Sequence, residues 1–321
     1  MTRDRDASLR PIFIVGAPRS GTHLLRFCLT QHSALYVAPE TSFFIHAYGS
    51  RCLDRLLLGA RRWSMLADRL IDRSGDPTMA DVARRRDEVR QATRDSRSYA
   101  EFARRFYHSL ALPSGKRRWG EKTPYHTFCL PQVFRFFPDA QVLFITRDMK
   151  ATVASTIKSG HVRVGFKKAV AANLLARRTA RKHAGDPRVH MVSYEAFTDH
   201  PEASLREICG FLGETFEPAM LHPGMMDSSY GGNVMELERT IGIQRDDPLK
   251  WKSALSTRQA DLIDALERHP GIVSLVVRDP GLFVQFALLR MRFMAVRAGL
   301  FGIRHTLKGA LPGRRKSCAP C

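Results

Sequence analysis

The chain has 321 residues, 44% of them hydrophobic, and a formal net charge of +20 at pH 7. That length and apolar content supply a full core and exclude a chain that is disordered throughout. So basic a balance points to an anionic ligand or an anionic surface and carries no information about fold; nucleic acid is the weaker partner, since no recognised module appears and the basic residues are spread widely.

Taken in order, residues 12–15 (Ile-Phe-Ile-Val) form a continuous apolar run suited to a strand buried on both faces of a parallel sheet. Residues 16–21 carry Gly16, Gly21 and a proline around Arg19 and Ser20, and an apolar, helix-compatible run opens at Leu24. Strand, glycine-bearing turn and helix N-terminus together make an anion cradle, with backbone N–H groups and the positive end of the helix dipole facing the turn. Gly16 and Gly21 have P-loop spacing, but Thr22 stands where an ATPase carries its lysine, and the nearest cation is Arg19.

Residues 34–44 read as a short strand ending in Pro39-Glu40, and residues 43–112 as a charged helical insertion broken near 75–77. The chain returns to the sheet near 118–124. A helix is expected over 130–137, a strand over 141–146, then Arg147-Asp148 and a helix through about Ser159. A basic helix over 167–183, a strand over 189–193, Tyr194-Glu195 and a helix over 201–212 follow, with Pro201 suited to the first helical position. Residues 214–250 are loop-rich around Gly231 and Gly232, and a helix spans about 256–267. Strands alternating with helices imply a parallel sheet whose ligands bind beyond the carboxyl strand ends. Gly16, Glu40, Arg147 and Tyr194 each follow an apparent strand and are expected to share one edge.

From Gly281 to the C-terminus there are eight basic residues and no acidic one. Residues 281–308, apolar with basic punctuation, read either as an amphipathic helix for an anionic membrane surface or as a helix covering the domain. Cys28, Cys129 and Cys209 fall in apolar runs and are expected to be buried thiols, whereas Cys318 and Cys321 form a CxxC without a second pair to complete a zinc site. The N-terminus is charged and lacks an apolar h-region, and no uninterrupted apolar run reaches the roughly 20 residues of a spanning helix. These features give the expectation of a cytoplasmic protein, or one peripheral on the inner membrane face.

Residues 16–22, with their Pro-Arg-Ser-Gly-Thr core, resemble the phosphosulfate-binding loop of sulfotransferases that use 3′-phosphoadenosine 5′-phosphosulfate (PAPS). Arg147-Asp, a short run and Ser155 resemble the 3′-phosphate site of the same family. The resemblance implies an α/β, P-loop-type three-layer fold with a central parallel sheet. It divides the chain into an α/β domain over 1–280, carrying the 43–112 insertion, and a basic C-terminal extension over 281–321. It also implies sulfuryl transfer from PAPS to an acceptor hydroxyl (carbohydrate, glycolipid, small molecule or peptide tyrosine), with no metal. Arg19, Ser20, Gly21 and Thr22 would hold the 5′-phosphosulfate, Arg147 and Ser155 the 3′-phosphate, and Tyr194 would lie near the adenine. Lys250, in Lys-Trp-Lys, would belong to a late loop closing over the nucleotide. Glu40 matches the family's catalytic glutamate, with Glu121 as a rival base and His126 as a weaker one. Lys122, in Glu-Lys-Thr-Pro, would stabilise the leaving oxygens together with Arg19. Lys158 is offered as a further 3′-phosphate cation, since Ser159 stands where an arginine is expected. The rival readings are a P-loop nucleotide kinase or NTPase, and a non-catalytic basic membrane-associated protein.

Overall fold

The computed structural model describes residues 10–58, 61–73, 79–159, 164–223, 243, 245, 247–269, 271 and 276–299. Its centre is a five-stranded sheet of β1 (Ile12–Gly16), β2 (Leu35–Ala38), β3 (Arg118–Lys122), β4 (Gln141–Thr146) and β5 (Val189–Ser193), ordered β2-β3-β1-β4-β5. Every pairing is parallel. Successive side chains of a strand point to opposite faces. Ile12 and Ile14 accordingly enter one apolar core, and Phe13 and Val15 the other. Both faces are buried, which explains why β1 reads as an unbroken apolar run.

The helices are α1 (Thr22–Thr30), α2 (Phe43–His46), α3 (Arg51–Leu58), α4 (Arg62–Arg73), α5 (Met79–Arg84), α6 (Arg86–Thr93), α7 (Tyr99–Ala111), α8 (Leu130–Phe136), α9 (Met149–Lys158), α10 (Phe166–His183), α11 (Tyr194–Asp199) and α12 (Pro201–Leu212). Thr257–Arg268 and Pro280–Ala298 follow among the described residues. α1, α11 and α12 bury Leu25, Phe197, Ile208 and their neighbours against the Ile12 face. The other face takes α2, α4 and α7, then α9, α10 and the Pro280–Ala298 helix, completing three layers.

Local chemistry sets the helix ends. The Ser98 hydroxyl accepts from the Glu101 N–H at 3.1 Å and caps α7. Pro201 opens α12, and Gly213 closes it in the left-handed conformation (φ 75°). Ser256 and Gln259 form a capping box on Thr257–Arg268.

The expected insertion, 43–112, runs from α2 through α7 and is anchored to the sheet by aromatic contacts. Tyr107 stacks on Trp119 of β3 at 4.7 Å between centroids, and within the insertion Phe102 of α7 stacks on Trp63 of α4 at 5.5 Å. A buried Asp54–Arg69 ion pair ties α3 to α4. Several insertion arginines are paired rather than simply solvated: Arg86 and Arg90 both reach Asp68.

The helix that opens the expected extension buries Leu282, Phe286, Leu289, Phe293 and Val296, with the Phe293 ring 4.4 Å from that of Phe128. It therefore covers the domain. Its opposite face leaves Val284, Leu288, Met291 and Met294 exposed. Cys28, Cys129 and Cys209 are buried as expected. Gly231, Gly232, residues 300–321 and the CxxC of Cys318 and Cys321 lie outside the described residues.

Candidate active site

At the carboxyl edge, β1 runs into the glycine loop, β2 is followed by Glu40, and β3 ends on Lys122. β4 is followed by Arg147 and β5 by Tyr194, so all five strand ends contribute to one rim. β1 lies beside β4, and the crossover that leaves β1 (through α1 to β2) and the one that leaves β4 (through α9 and α10 to β5) run to opposite sides, which opens the crevice of a topological switch point above the loop.

The loop is tightly drawn. Ser20 donates its hydroxyl to the Ala17 carbonyl at 2.7 Å. Arg19 and Gly21 both adopt positive φ, 68° and 99°. Glycine tolerates that region, while an arginine held there is strained and has to be fixed by its surroundings. The surroundings are visible. The Arg19 Nε–H donates to Ser155 Oγ at 3.2 Å, and the Arg147 guanidinium donates to the Arg19 carbonyl at 3.2 Å. The guanidinium carbon of Arg147 also sits 4.2 Å above the Tyr194 ring. A Cβ on Gly21 would lie 2.2 Å from that ring, so only glycine lets Tyr194 close on the loop. Thr22, buried, opens α1, whose first turn has no side-chain cap. Uncapped N-terminal amides and the helix dipole favour an anion there. Burial, then the nearby Arg147 charge, lowers the pKa of Arg19. Two guanidinium groups held this close concentrate positive potential in a partly dry crevice.

On the other side of the loop, Lys122 is fully buried and donates to Glu40 Oε2 at 2.6 Å and to His23 Nε2 at 2.7 Å. An ammonium only donates, so His23 receives that bond on an unprotonated Nε2. Burial, followed by the charges of Lys122, Arg26 and Arg19, holds His23 well below the usual histidine range, and the ring is neutral. Glu40 remains 32% exposed and open to a reactant. His23 was missed from the sequence. Its signal was its position directly after the Pro-Arg-Ser-Gly-Thr run, in the first turn of a helix aimed at an anion site.

The rival carboxylate, Glu121, is fully buried, as is His126. His126 Nδ1 contacts Glu121 Oε2 at 2.8 Å, and His126 Nε2 accepts from the Phe44 N–H at 3.2 Å. Both are sealed from solvent. Lys158 donates to Ser253 Oγ at 2.5 Å, which brings the 250–253 turn against α9. Trp251 lies beneath the Lys150 ammonium at 4.9 Å, and Lys150 is paired with Asp264 at 2.8 Å. Lys250 itself is exposed at the start of that turn.

A fully parallel sheet, with a glycine loop leading into an uncapped helix and cations gathered at the switch point, defines a P-loop-type α/β fold with a positively charged crevice. The chain belongs to the Sulfotransferase family, which matches residues 11–218. Protein-tyrosine sulfotransferase 2 of Gallus gallus is 27% identical over 241 residues, covering 71% of this chain and 58% of that protein. Protein-tyrosine sulfotransferase 1 of Danio rerio has the same identity over 241 residues, with 71% and 60% covered. The chain thus spans less than two thirds of these relatives. The sulfotransferase domain from the Synechococcus PCC 7002 olefin synthase shares the fold, with a TM-score of 0.53 at 24% identity over 80% of this chain and 94% of that domain.

Proposed function

We propose that this protein transfers a sulfuryl group from PAPS to an acceptor hydroxyl, with residues 10–299 acting as one catalytic unit and the 43–112 insertion shaping the acceptor side. One observation carries the reading. Lys122 bonds Glu40 and His23 at 2.6 and 2.7 Å, on the same rim where Arg19, Ser155, Arg147 and Tyr194 converge. The donor set suits a nucleotide with phosphate at both ends: amides and Arg19 at the loop, a planar guanidinium and a hydroxyl at Arg147 and Ser155. PAPS supplies the sulfuryl group and leaves as adenosine 3′,5′-bisphosphate.

The remaining work belongs to the chain. Ser20, Gly21 and Thr22 form the 5′ cradle, Arg147 and Ser155 hold the 3′ end, and Tyr194 walls the adenine side. Lys158 and Lys250 flank that end through the turn on α9. Glu40 accepts the proton of the acceptor hydroxyl, while Lys122 and Arg19 face the negative charge that develops on the leaving oxygens. His23, neutral and accepting, orients the Lys122 ammonium. The relatives' names make a peptide tyrosyl hydroxyl the first acceptor to test.

Calorimetric titration with adenosine 3′,5′-bisphosphate, against adenosine 5′-monophosphate and without magnesium, tests the donor site. Tighter binding of the bisphosphate is expected. Binding of neither by folded protein favours a scaffold without chemistry, and magnesium-dependent ATP turnover favours a kinase or NTPase.

A second reading concerns location. Val284, Leu288, Met291 and Met294 form an exposed apolar stripe on the Pro280–Ala298 helix, beside exposed Arg290 and Arg292, in a segment without acidic residues. Apolar insertion with basic flanks suits the anionic cytoplasmic face of a membrane. Among the described residues, no helix is long and apolar enough to cross a membrane. Because the helix's other face is core, truncation is a poor test. Leu288→Ser/Met291→Ser/Met294→Ser, with folding checked, is expected to lose binding to phosphatidylserine vesicles, and unchanged binding refutes the docking face.

A further inference from the structure

The geometry points to Thr123 and Glu121 as positioning residues that fix the Glu40 carboxylate against Lys122. The inference rests on Glu40 as the general base. Glu121 cannot itself meet an acceptor, being fully buried on β3. What it does instead is gather hydrogen bonds from the chain immediately after Glu40. Its carboxylate accepts from the Thr123 hydroxyl and, at 3.3 Å, from the Thr41 hydroxyl. The Thr123 hydroxyl oxygen in turn accepts the Ser42 N–H at 3.1 Å. The Phe44 N–H is received by His126 Nε2, so the proton of this imidazole lies on Nδ1 and is donated to Glu121 at 2.8 Å. Residues 41, 42 and 44 are thereby tied to one buried carboxylate, whose next neighbour in the chain is Lys122.

The tie is needed. Glu40 lies beyond β2 and Lys122 is the last residue of β3, and those two strands pair only as far as Ala38 and Glu121. Lys122 is held by β1 opposite Ile14, and no β2–β3 pairing aligns Glu40 with it. Ser42 also holds φ 53°, a left-handed conformation unusual for a residue with a side chain. Such a conformation persists where the surroundings over-determine it, and the Ser42 N–H bond to Thr123 does so here. Thr41 further bonds the Tyr107 hydroxyl at 2.7 Å, and Tyr107 stacks on Trp119, so the insertion bears on the same segment. Burial, and then the Glu121 charge, raise the pKa of Tyr107, which keeps its hydroxyl protonated in this network.

Thr123→Val keeps the shape and removes both the donor to Glu121 and the acceptor for Ser42. It avoids the several unsatisfied buried donors, on Thr41, Thr123 and His126, that a Glu121 substitution would leave. Release of bisphosphate from PAPS is measured with a tyrosyl peptide and with water as acceptor, alongside calorimetric affinity for the bisphosphate. Thr123→Val is expected to lower kcat about tenfold or more, since a misplaced catalytic group is costly, with bisphosphate affinity unchanged within about twofold. Thr123→Ser is expected to restore most of the rate. On a Glu40→Gln background, Thr123→Val should cost less than about twofold, because it acts through Glu40. Wild-type kcat in Thr123→Val, or its full cost persisting on the Glu40→Gln background, overturns the positioning role. Wild-type kcat in Glu40→Gln overturns the base assignment and the positioning role with it.

Discussion

Gly21→Ala puts one methyl group where the loop, Tyr194 and Arg147 meet. The backbone there has φ 99°, and the added Cβ would lie 2.2 Å from Tyr194 Cδ2 and 2.6 Å from Cε2. The left-handed conformation costs an alanine about 1–2 kcal/mol. Ordinary contact needs well over 3 Å, so the ring must also retreat by more than 1 Å, and overpacking of that kind costs about 1–3 kcal/mol. The sum is roughly 2–5 kcal/mol of stability, which in a chain of this size lowers the unfolding midpoint by about 3–7 °C. Binding should suffer separately. The Arg147 guanidinium lies 4.2 Å above the displaced ring, and losing one charge-assisted contact costs about 1.5–3 kcal/mol, or roughly 10- to 150-fold in affinity. The assay pairs thermal unfolding with bisphosphate calorimetry. Tyr194→Ala in the same chain should relieve the clash and recover part of the stability, leaving the φ cost and the weak binding. A Gly21→Ala protein that melts like the wild type refutes the steric reasoning. One that binds the bisphosphate like the wild type refutes this crevice as the nucleotide site.

Glu40→Gln is expected to lower turnover by about 10²- to 10⁴-fold while bisphosphate affinity stays within about twofold, and near-normal turnover refutes the base. The loss should be smaller for a phenolic acceptor than for an aliphatic alcohol, because a phenol (pKa about 10) needs less help to lose its proton. Arg147→Ala should bring the affinity for adenosine 3′,5′-bisphosphate down to that for adenosine 5′-monophosphate; a large remaining preference sinks the 3′-phosphate assignment. Acidification probes His23, which the folded protein holds neutral and the unfolded chain protonates at about pH 6.5. The unfolded state binds more protons below that pH, so this contribution is complete above it and declines as pH falls. Relative to His23→Asn, the wild type should lose about 1 kcal/mol between pH 7.5 and 5.5 in urea unfolding, and equal slopes refute the buried neutral ring.

Much of the candidate site could be read locally. An apolar run, a glycine turn with Arg19 and a helix onset are neighbours in sequence, and backbone geometry alone makes them an anion loop. Arg147 and Tyr194 follow apolar runs in the same way, and a parallel sheet sends every strand end to one edge. That is why Gly16, Glu40, Arg147 and Tyr194, far apart in the chain, could be expected on one rim.

Other features depend on which segments meet, and no local pattern encodes that. β3 slips between β2 and β1, and only this order brings Lys122 beside Glu40 and His23. Glu121 and Glu40 are both carboxylates next to polar residues in sequence; burial alone separates a sealed hydrogen-bond hub from an accessible carboxylate. The Pro280–Ala298 helix is apolar on both faces, so its pattern could not tell which face meets the core, and packing against Phe128 and α10 decided that. Periodicity and turn chemistry are properties of a few consecutive residues, which a sequence displays directly. Burial, partner and register are set by the free energy of the whole packed chain, and for Lys122, His23 and Glu121 that packing decided the chemistry.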